Sequence, residues 1–364
     1  MQPAAHQQLP YRILVAPLDW GLGHAVRCIP IIRQIRYDGH EVLLAVTPST
    51  RPVLQKAFPD LPLIDIPAYG VRYPFRNMLA NAVIQTPRIV YTARGENRAV
   101  KAIVREHRID AILSDNRAGC FFPGIPNIYL THQYTIPIPN PVLRTGSNWC
   151  HRRVIDQFSA LWIPDRNDQF ALGPAMSRVP PKRQPFYVGW LSEAEPATGE
   201  STLKATFILS GPEPQRTRLE ERILAEAKSL EGPFALVRGI TKNQALFGRP
   251  ESITLVHDLA DRKTIQRLVN QSQVIVSRSG YTTLMDLAFW RKPALLIPTT
   301  GQYEQEYLAS RMQELGWAHT TQQDTLQLER DLRLTSLCRV PKLPEMTDQG
   351  LRPALDHLYQ LISG

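Results

Sequence analysis

Cysteine is scarce in this 364-residue sequence: Cys28, Cys120, Cys150 and Cys338 lie far apart, with no Cys-x-x-Cys pair. That spacing excludes a thiolate zinc site and a disulfide scaffold, and it points to a reducing, cytoplasmic compartment. No stretch approaches the roughly 18 consecutive apolar residues needed to span a membrane. The segment Met1 to Pro10 is polar and lacks the apolar core of a signal peptide. No basic run is interleaved with aromatics and no nucleic-acid module is recognisable, so no nucleic-acid partner is expected. What is present is ordinary for a folded enzyme: 43% hydrophobic and 21% charged residues, in a length that suits two domains.

Charge is divided unevenly. Residues 1–185 carry 22 Lys and Arg against 12 Asp and Glu, whereas residues 186–364 carry 20 against 21. The first half therefore suits an acidic partner, a phosphorylated substrate or an anionic lipid surface. One segment of it, Val71–Arg94, mixes Phe75, Met78, Leu79, Val83, Ile84, Ile89 and Val90 with Arg72, Arg76, Arg88 and Arg94. Such a stretch could meet lipid headgroups, and Pro87 is expected to divide it into two short pieces or a helix and a loop.

Strand-like and helix-like patterns alternate along the chain. Tyr11–Pro17 reads as a buried strand, followed by a Gly-rich turn and a helix that stops at Gly39. Further strands are expected at Glu41–Thr47, Leu63–Ile66, Asp110–Ser114, Asn127–Thr131 and Ala160–Pro164. The second half repeats the scheme, with strands at Ala205–Ser210, Phe234–Arg238, Ile253–Val256, Gln273–Ser277 and Ala294–Pro298. This alternation means right-handed crossovers and mostly parallel sheets, an α/β class with two Rossmann-like domains. Residues 1–190 are read as the first domain and 200–345 as the second. The helix within 346–364 follows a Pro-containing connection that could return it to the first.

Three strand-to-helix turns carry chemistry. In Trp20-Gly-Leu-Gly-His24, Gly21 and Gly23 let the backbone approach a ligand, and His24 titrates near neutrality where a base could reach a hydroxyl. In Val276-Ser-Arg-Ser-Gly-Tyr-Thr-Thr-Leu-Met-Asp286, a strand ends at Ser279-Gly280 and a helix begins. Its first amides, at Tyr281, Thr282 and Thr283, could face a phosphate, with the two threonines capping the helix. Asp286, a turn on, could accept ribose hydroxyls. Ser210-Gly211 and Arg216 are further phosphate candidates. The third turn, Ile297-Pro-Thr-Thr-Gly-Gln-Tyr-Glu-Gln-Glu306, is dense in polar side chains, Gln302 and Gln305 among them, that suit a sugar.

The Ser-Arg-Ser-Gly-Tyr run with Asp286, followed by the Pro298–Gln305 run, resembles the family-28 glycosyltransferases of GT-B fold. These include the bacterial enzymes that move N-acetylglucosamine from UDP to a muramyl lipid. The resemblance implies two Rossmann-like domains facing a cleft and inverting sugar transfer from a nucleoside diphosphate, usually UDP. It implies no metal and no cofactor, the nucleotide sugar being a co-substrate, and the chain contains no Asp-x-Asp. It matches Gly21-Leu-Gly-His24 to the acceptor-side loop, Ser210-Gly211, Ser279 and Gly280 to the donor-side loops, Asp286 to the ribose-binding acid, and Gln305 to the glutamine on the donor sugar. Glu306 replaces a second donor glutamine, and Pro212-Glu-Pro-Gln215 reshapes one phosphate loop. On this reading His24 is the base, with Asp115 and His132, both at strand ends, as second choices. The acceptor is a hydroxyl, lipid-linked in the muramyl enzymes, which would place the chain at the inner face of a membrane. A UDP-sugar 2-epimerase of the same fold and a non-catalytic nucleotide-sugar binder are the alternatives.

Overall fold

A computed structural model of the chain describes residues 10–70, 78–138, 140–180, 183–240, 248–342 and 350–364, with residues 78–84 as backbone only. It divides into two units, one within Met1–Val71, Ile84–Leu191 and Met346–Gly364, the other within Arg72–Val83 and Ser192–Glu345.

The first unit is built on seven strands, β1 (Arg12–Pro17), β2 (Glu41–Val46), β3 (Leu63–Asp65), β4 (Ala111–Asp115), β5 (Asn127–Leu130), β6 (Ala160–Ile163) and β7 (Phe186–Tyr187). All pairings are parallel, in the order β3-β2-β1-β4-β5-β6-β7. Its helices are α1 (Gly23–Tyr37), α2 (Arg51–Ala57), α3 (Met78–His107, which belongs to this unit from Ile84 onward), α4 (Pro141–Ile155) and α5 (Pro174–Ser177). Helices cover a parallel sheet on both faces, so its strands are continuous apolar runs and not alternating ones. Thus Ile13, Leu14, Val15 and Ala16 are all fully buried.

The second unit has six strands, β8 (Leu203–Ile208), β9 (Phe234–Val237), β10 (Ile253–His257), β11 (Ser272–Ser277), β12 (Ala294–Leu296) and β13 (Ala318–Thr320). They are parallel in the order β10-β9-β8-β11-β12-β13. The connecting helices are α6 (Gln215–Ala227), α7 (Arg262–Gln271), α8 (Tyr281–Trp290), α9 (Tyr303–Glu314) and α10 (Leu328–Thr335). Phe207, Leu236, Val276 and Leu295 form part of a core with Leu219 and Ile223 of α6.

The last helix, α11 (Leu351–Ser363), returns to the first unit. It buries Ala354, Leu355 and Leu358, while Arg352 and Tyr359 donate to the two carboxylate oxygens of Asp38, each at 2.8 Å. Among the described residues no helix is long and apolar enough to cross a membrane.

Two expectations are corrected. Pro87 does not divide its segment: α3 runs through it for 30 residues, as α1 runs through Pro30. A proline removes one backbone donor, a loss that long flanking stretches of helix absorb. Residues 71–77 of the Val71–Arg94 segment lie outside the described residues, as do the side chains of 78–84. Thr282 and Thr283 do not cap α8, whose N-cap is Gly280, with no side-chain hydrogen bond there.

Candidate functional sites at the two switch points

In each unit the strand order reverses beside the first strand, between β1 and β4 and between β8 and β11. Loops leaving two such strands diverge to opposite sides, so a crevice opens beyond their carboxyl ends. Two of the three motif turns fall at these two places, and the third follows β12, the neighbour of β11.

In the first unit, Pro17 of β1 and Asp115 of β4 are register partners, and Leu18 donates its N–H to the Asp115 carbonyl at 3.0 Å. The chain turns through Gly21, whose φ of 94° suits glycine, and enters α1 with His24 as its second residue. Arg27 lies one turn further, at the helical spacing that puts it beside His24. His24 Nδ1 is 3.0 Å from Asp115 Oδ2, and Arg27 Nε is 3.1 and 3.0 Å from the two Asp115 oxygens. The Arg27 guanidinium also reaches His24 Nδ1 at 3.0 Å and His132 Nδ1 at 2.9 Å. A guanidinium only donates, so the His132 contact needs a lone pair on Nδ1 and leaves that ring's proton on Nε2. A His24 Nδ1 proton turned to Asp115, in contrast, makes the approach of Arg27 to that nitrogen a close contact and not a hydrogen bond.

The electrostatics follow from this cluster. Burial pushes the Asp115 carboxyl up, but Arg27 and His24 outweigh it and hold the group down at about 2. His24 is lowered, first by burial and then by the Arg27 charge, against the opposing pull of Asp115. Its ring is therefore neutral at physiological pH. Beneath the loop, buried Arg117 pairs with Glu96 and donates to the carbonyls of Pro17 at 3.2 Å and Pro67 at 2.5 Å. Tyr69 adds its hydroxyl to Glu96 at 2.7 Å, so the end of β1 and the segment after β3 rest on one ion pair. Asp115, His24 and His132, expected separately, thus meet in one cluster, and Gly21 and Gly23 border it in sequence.

In the second unit, Ser210 and Gly211 follow β8, and Ser279 and Gly280 follow β11. Gly211 has φ 108°, and a Cβ there would lie 3.7 Å from the Thr299 hydroxyl, so the β8 and β12 loops are neighbours. Ser279, fully buried, donates its hydroxyl to the Gln305 carbonyl at 2.7 Å. The Gln305 side chain accepts from Thr299 N at 2.8 Å, and Glu306 accepts from Gly301 N at 2.8 Å. The amides of Tyr281, Thr282 and Thr283 form the uncapped first turn of α8. Buried polar atoms without a hydrogen-bond partner gather around these loops: Ser277 Oγ, Arg278 Nε, Thr299 Oγ1 and Gln302 Oε1. Such orphans are rare in folded proteins and call for a ligand or water.

Two expected donor residues are more engaged than the sequence suggests. Arg216 is buried, and its guanidinium bonds Glu213, Glu220, Thr217 and the Arg238 carbonyl. This correction leaves it a strut of the unit, not a phosphate ligand. Asp286 is gripped by Arg262 at 2.7 and 2.8 Å and accepts the Ser192 hydroxyl. Sequence reasoning missed Arg27, Arg262 and Arg278. The spacing of Arg27 from His24 was a usable signal, and Arg278 stands inside the Ser-Gly motif, but nothing in sequence joins Arg262 to Asp286.

Residues 241–345 match the model of the glycosyltransferase family 28 C-terminal domain. No match was found among curated proteins. Among solved structures the chain is similar to spinosyn rhamnosyltransferase SpnG, with a TM-score of 0.64 and 17% identity over 97% of this chain and 96% of that one. It is similar to MurG of Acinetobacter baumannii, with a TM-score of 0.60 and 14% identity over 96% and 100%. It is also similar to glycosyltransferase VinC, in complex with dTDP, with a TM-score of 0.57 and 12% identity over 97% and 99%. At such identities the structural likeness is one of fold, and the family model matches only residues 241–345 of the second unit. The chain has the two-domain GT-B fold of these glycosyltransferases, and its residues 241–345 match the glycosyltransferase family 28 C-terminal domain.

Proposed function

We propose that the chain transfers a sugar from a nucleoside diphosphate, UDP in our reading, to a hydroxyl acceptor, with inversion and without a metal. The observation that carries this reading is the His24–Asp115 contact of 3.0 Å at the switch point of the first unit. With its Nδ1 proton turned to the carboxylate, His24 keeps a lone pair on Nε2. That nitrogen takes the acceptor proton as the acceptor oxygen bonds to the anomeric carbon. The bond from that carbon to the diphosphate oxygen breaks in the same displacement, which inverts the centre. The departing charge falls to amides around Ser279–Thr283 and Ser210-Gly211, with Asp286 on ribose hydroxyls and Gln302 and Gln305 on the sugar. VinC in complex with dTDP supports a nucleoside diphosphate in this fold. His132, its Nε2 protonated, fits a donor better than a base.

The epimerase alternative needs carboxylates around the sugar ring. In the first unit Asp115 is occupied by Arg27, and Asp19 lies 3.5 Å from Arg117, so neither suits that work. A lipid-linked acceptor at an anionic membrane surface is part of the proposal, supported by the basic first half and by exposed apolar side chains on α3 and α4.

The test is incubation with a panel of UDP- and dTDP-sugars, reading nucleoside diphosphate release and the anomeric configuration of the product by NMR. At least one donor should release its diphosphate with inversion, and His24→Ala should cost roughly 10²–10⁴ in turnover. Epimerised sugar, or no release from any donor, would overturn the reading.

A further inference from the structure

Six arginines are buried among the described residues: Arg27, Arg117, Arg166, Arg216, Arg238 and Arg278. Five of them have a carboxylate partner: Asp115, Glu96, Asp168, Glu220, and for Arg238 both Glu220 and Asp258. Arg278, only 1% exposed, has none. Its NH1 donates to the carbonyls of Ile297 and Pro298, both at 3.0 Å. Its NH2 donates to the Gln215 carbonyl at 2.9 Å and to Gln323 Oε1 at 2.7 Å, and its Nε has no partner. All of its hydrogen-bond acceptors are neutral, and among the described residues it forms no ion pair. Burial alone pushes this guanidinium down to about 10, so it stays charged near neutral pH.

A buried charge with no counter-ion is costly, and folded proteins keep one where something else balances it. The position of Arg278 shows what that is. It stands at the end of β11, between Ser277 and Ser279. Its acceptors come from the β8 side at Gln215, from the end of β12 at Ile297 and Pro298, and from the turn after β13 at Gln323. One side chain thus ties together the loops after four adjacent strands. These include the loops carrying Ser210-Gly211, Ser279-Gly280 and Gln302.

We infer that Arg278 is a positioning residue of the donor site: it holds these loops in register and is the fixed counter-charge of the incoming diphosphate. The inference rests on the donor site proposed above and assigns a role to a residue outside that reading. Charge within a low-dielectric wall acts on a nearby anion without touching it, and it is screened less than a surface charge. A purely structural arginine would influence every ligand of the loops alike, whereas a counter-charge favours ligands by their phosphate charge.

Titration calorimetry of the full chain with uridine, UMP, UDP and inorganic pyrophosphate separates the two. Arg278→Met should weaken UDP and pyrophosphate about 10- to 100-fold, the scale of a lost charge-assisted interaction, and leave uridine within about 3-fold. Arg278→Lys keeps the charge but not the fork, so it should restore most of the pyrophosphate affinity. Thermal melts report whether Arg278→Met folds; if it does not, Arg278→Lys decides, and a pyrophosphate loss as large as the uridine loss would overturn the inference. Equal weakening of uridine and UDP in folded Arg278→Met would reduce Arg278 to a strut. Wild-type protein that binds pyrophosphate but neither uridine nor UDP would overturn the nucleotide reading while leaving the counter-charge to be judged on pyrophosphate. Wild-type protein that binds none of the four would overturn both.

Discussion

The Arg27 guanidinium lies against the Asp115 carboxylate, its Nε 3.1 and 3.0 Å from the two oxygens, and also reaches His24 Nδ1 at 3.0 Å. Asp115 therefore serves these two partners, with the Cys28 thiol a third and longer donor at 3.7 Å. One fixes its charge and the other borrows its orientation. His24 meets a carboxylate, yet the adjacent cation and burial keep its pKa below the ordinary value.

The pH profile should reveal this balance. A base must be unprotonated, so a lowered His24 pKa extends activity to the acid side. The acid limb of kcat/KM should fall below the ordinary histidine value of about 6.5. In Arg27→Gln the cation is gone, so His24 is protonated more readily and the limb moves to higher pH. A limb at the same position in wild type and Arg27→Gln would remove His24 from the acid limb or Arg27 from its control. His132→Gln, by contrast, should move the limb less than Arg27→Gln does, because His132 acts on His24 more weakly than Arg27.

Stability should follow the same pair with the opposite dependence. Asp115 titrates at about 2 in the fold, below the roughly 3.9 of an unfolded aspartate. Its contribution is complete above the unfolded value and is lost as pH falls toward 2. Asp115→Asn would leave Arg27 buried without its counter-ion, at a cost of about 3–5 kcal/mol near neutral pH. Urea unfolding at pH 7 and pH 3 measures both: the gap between wild type and variant should narrow at the lower pH. A constant gap would mean that the ion pair is not its source.

These relationships show where sequence patterns inform and where they stop. The strands were legible because parallel sheets bury both faces, so β1 carries the apolar run Ile13–Ala16 and β2 the run Val42–Val46, while β8 and β11 keep shorter apolar stretches beside the exposed Lys204 and Gln273. The glycine-rich turns were legible because loops at a switch point need positive φ, as at Gly21 and Gly211. The two-residue β7 and three-residue β13 are too short to have a period. Helix α4, with Arg144, Thr145, Gly146 and Ser147 in sequence, shows little apolar periodicity. Ion pairs were the least legible, because Arg27 and Asp115 are 88 residues apart and only the fold brings them together. Arg216 illustrates the reverse error. A basic residue near a phosphate loop looked available until Glu220 was placed one helical turn away.

In the donor half, Ser279 and Asp286 make separable predictions. Removing the Ser279 hydroxyl takes one donor from the half-buried Gln305 carbonyl, so Ser279→Ala should cost about 0.5–1.5 kcal/mol of stability. Asp286→Ala should weaken UDP by about 1–3 kcal/mol and uridine by a similar amount, because the lost contact is to ribose. Calorimetry on folded protein checks this. Unchanged uridine affinity would leave Asp286 as the partner of Arg262 and Ser192 and nothing more.

The last prediction concerns an anionic surface. On α3, Val90 is 45% and Tyr91 78% exposed, with Arg88 and Arg94 exposed on the same helix. On α4, Val142 is 78% and Trp149 58% exposed, and Arg153 stacks over the Trp149 ring at 4.5 Å. That helix also exposes Arg144 and Arg152 and contains no acidic residue. Apolar side chains among unopposed arginines suit an interface of headgroups, where each basic residue contributes about 1 kcal/mol near the surface. The protein should therefore sediment with vesicles rich in phosphatidylglycerol and not with phosphatidylcholine vesicles, and release should follow added salt. Trp149→Ser should weaken binding at all salt concentrations, since it removes apolar burial, whereas Arg144→Ser with Arg152→Ser should flatten the salt dependence. Protein that stays in the supernatant with anionic vesicles at low salt would assign the basic half to a soluble acidic acceptor.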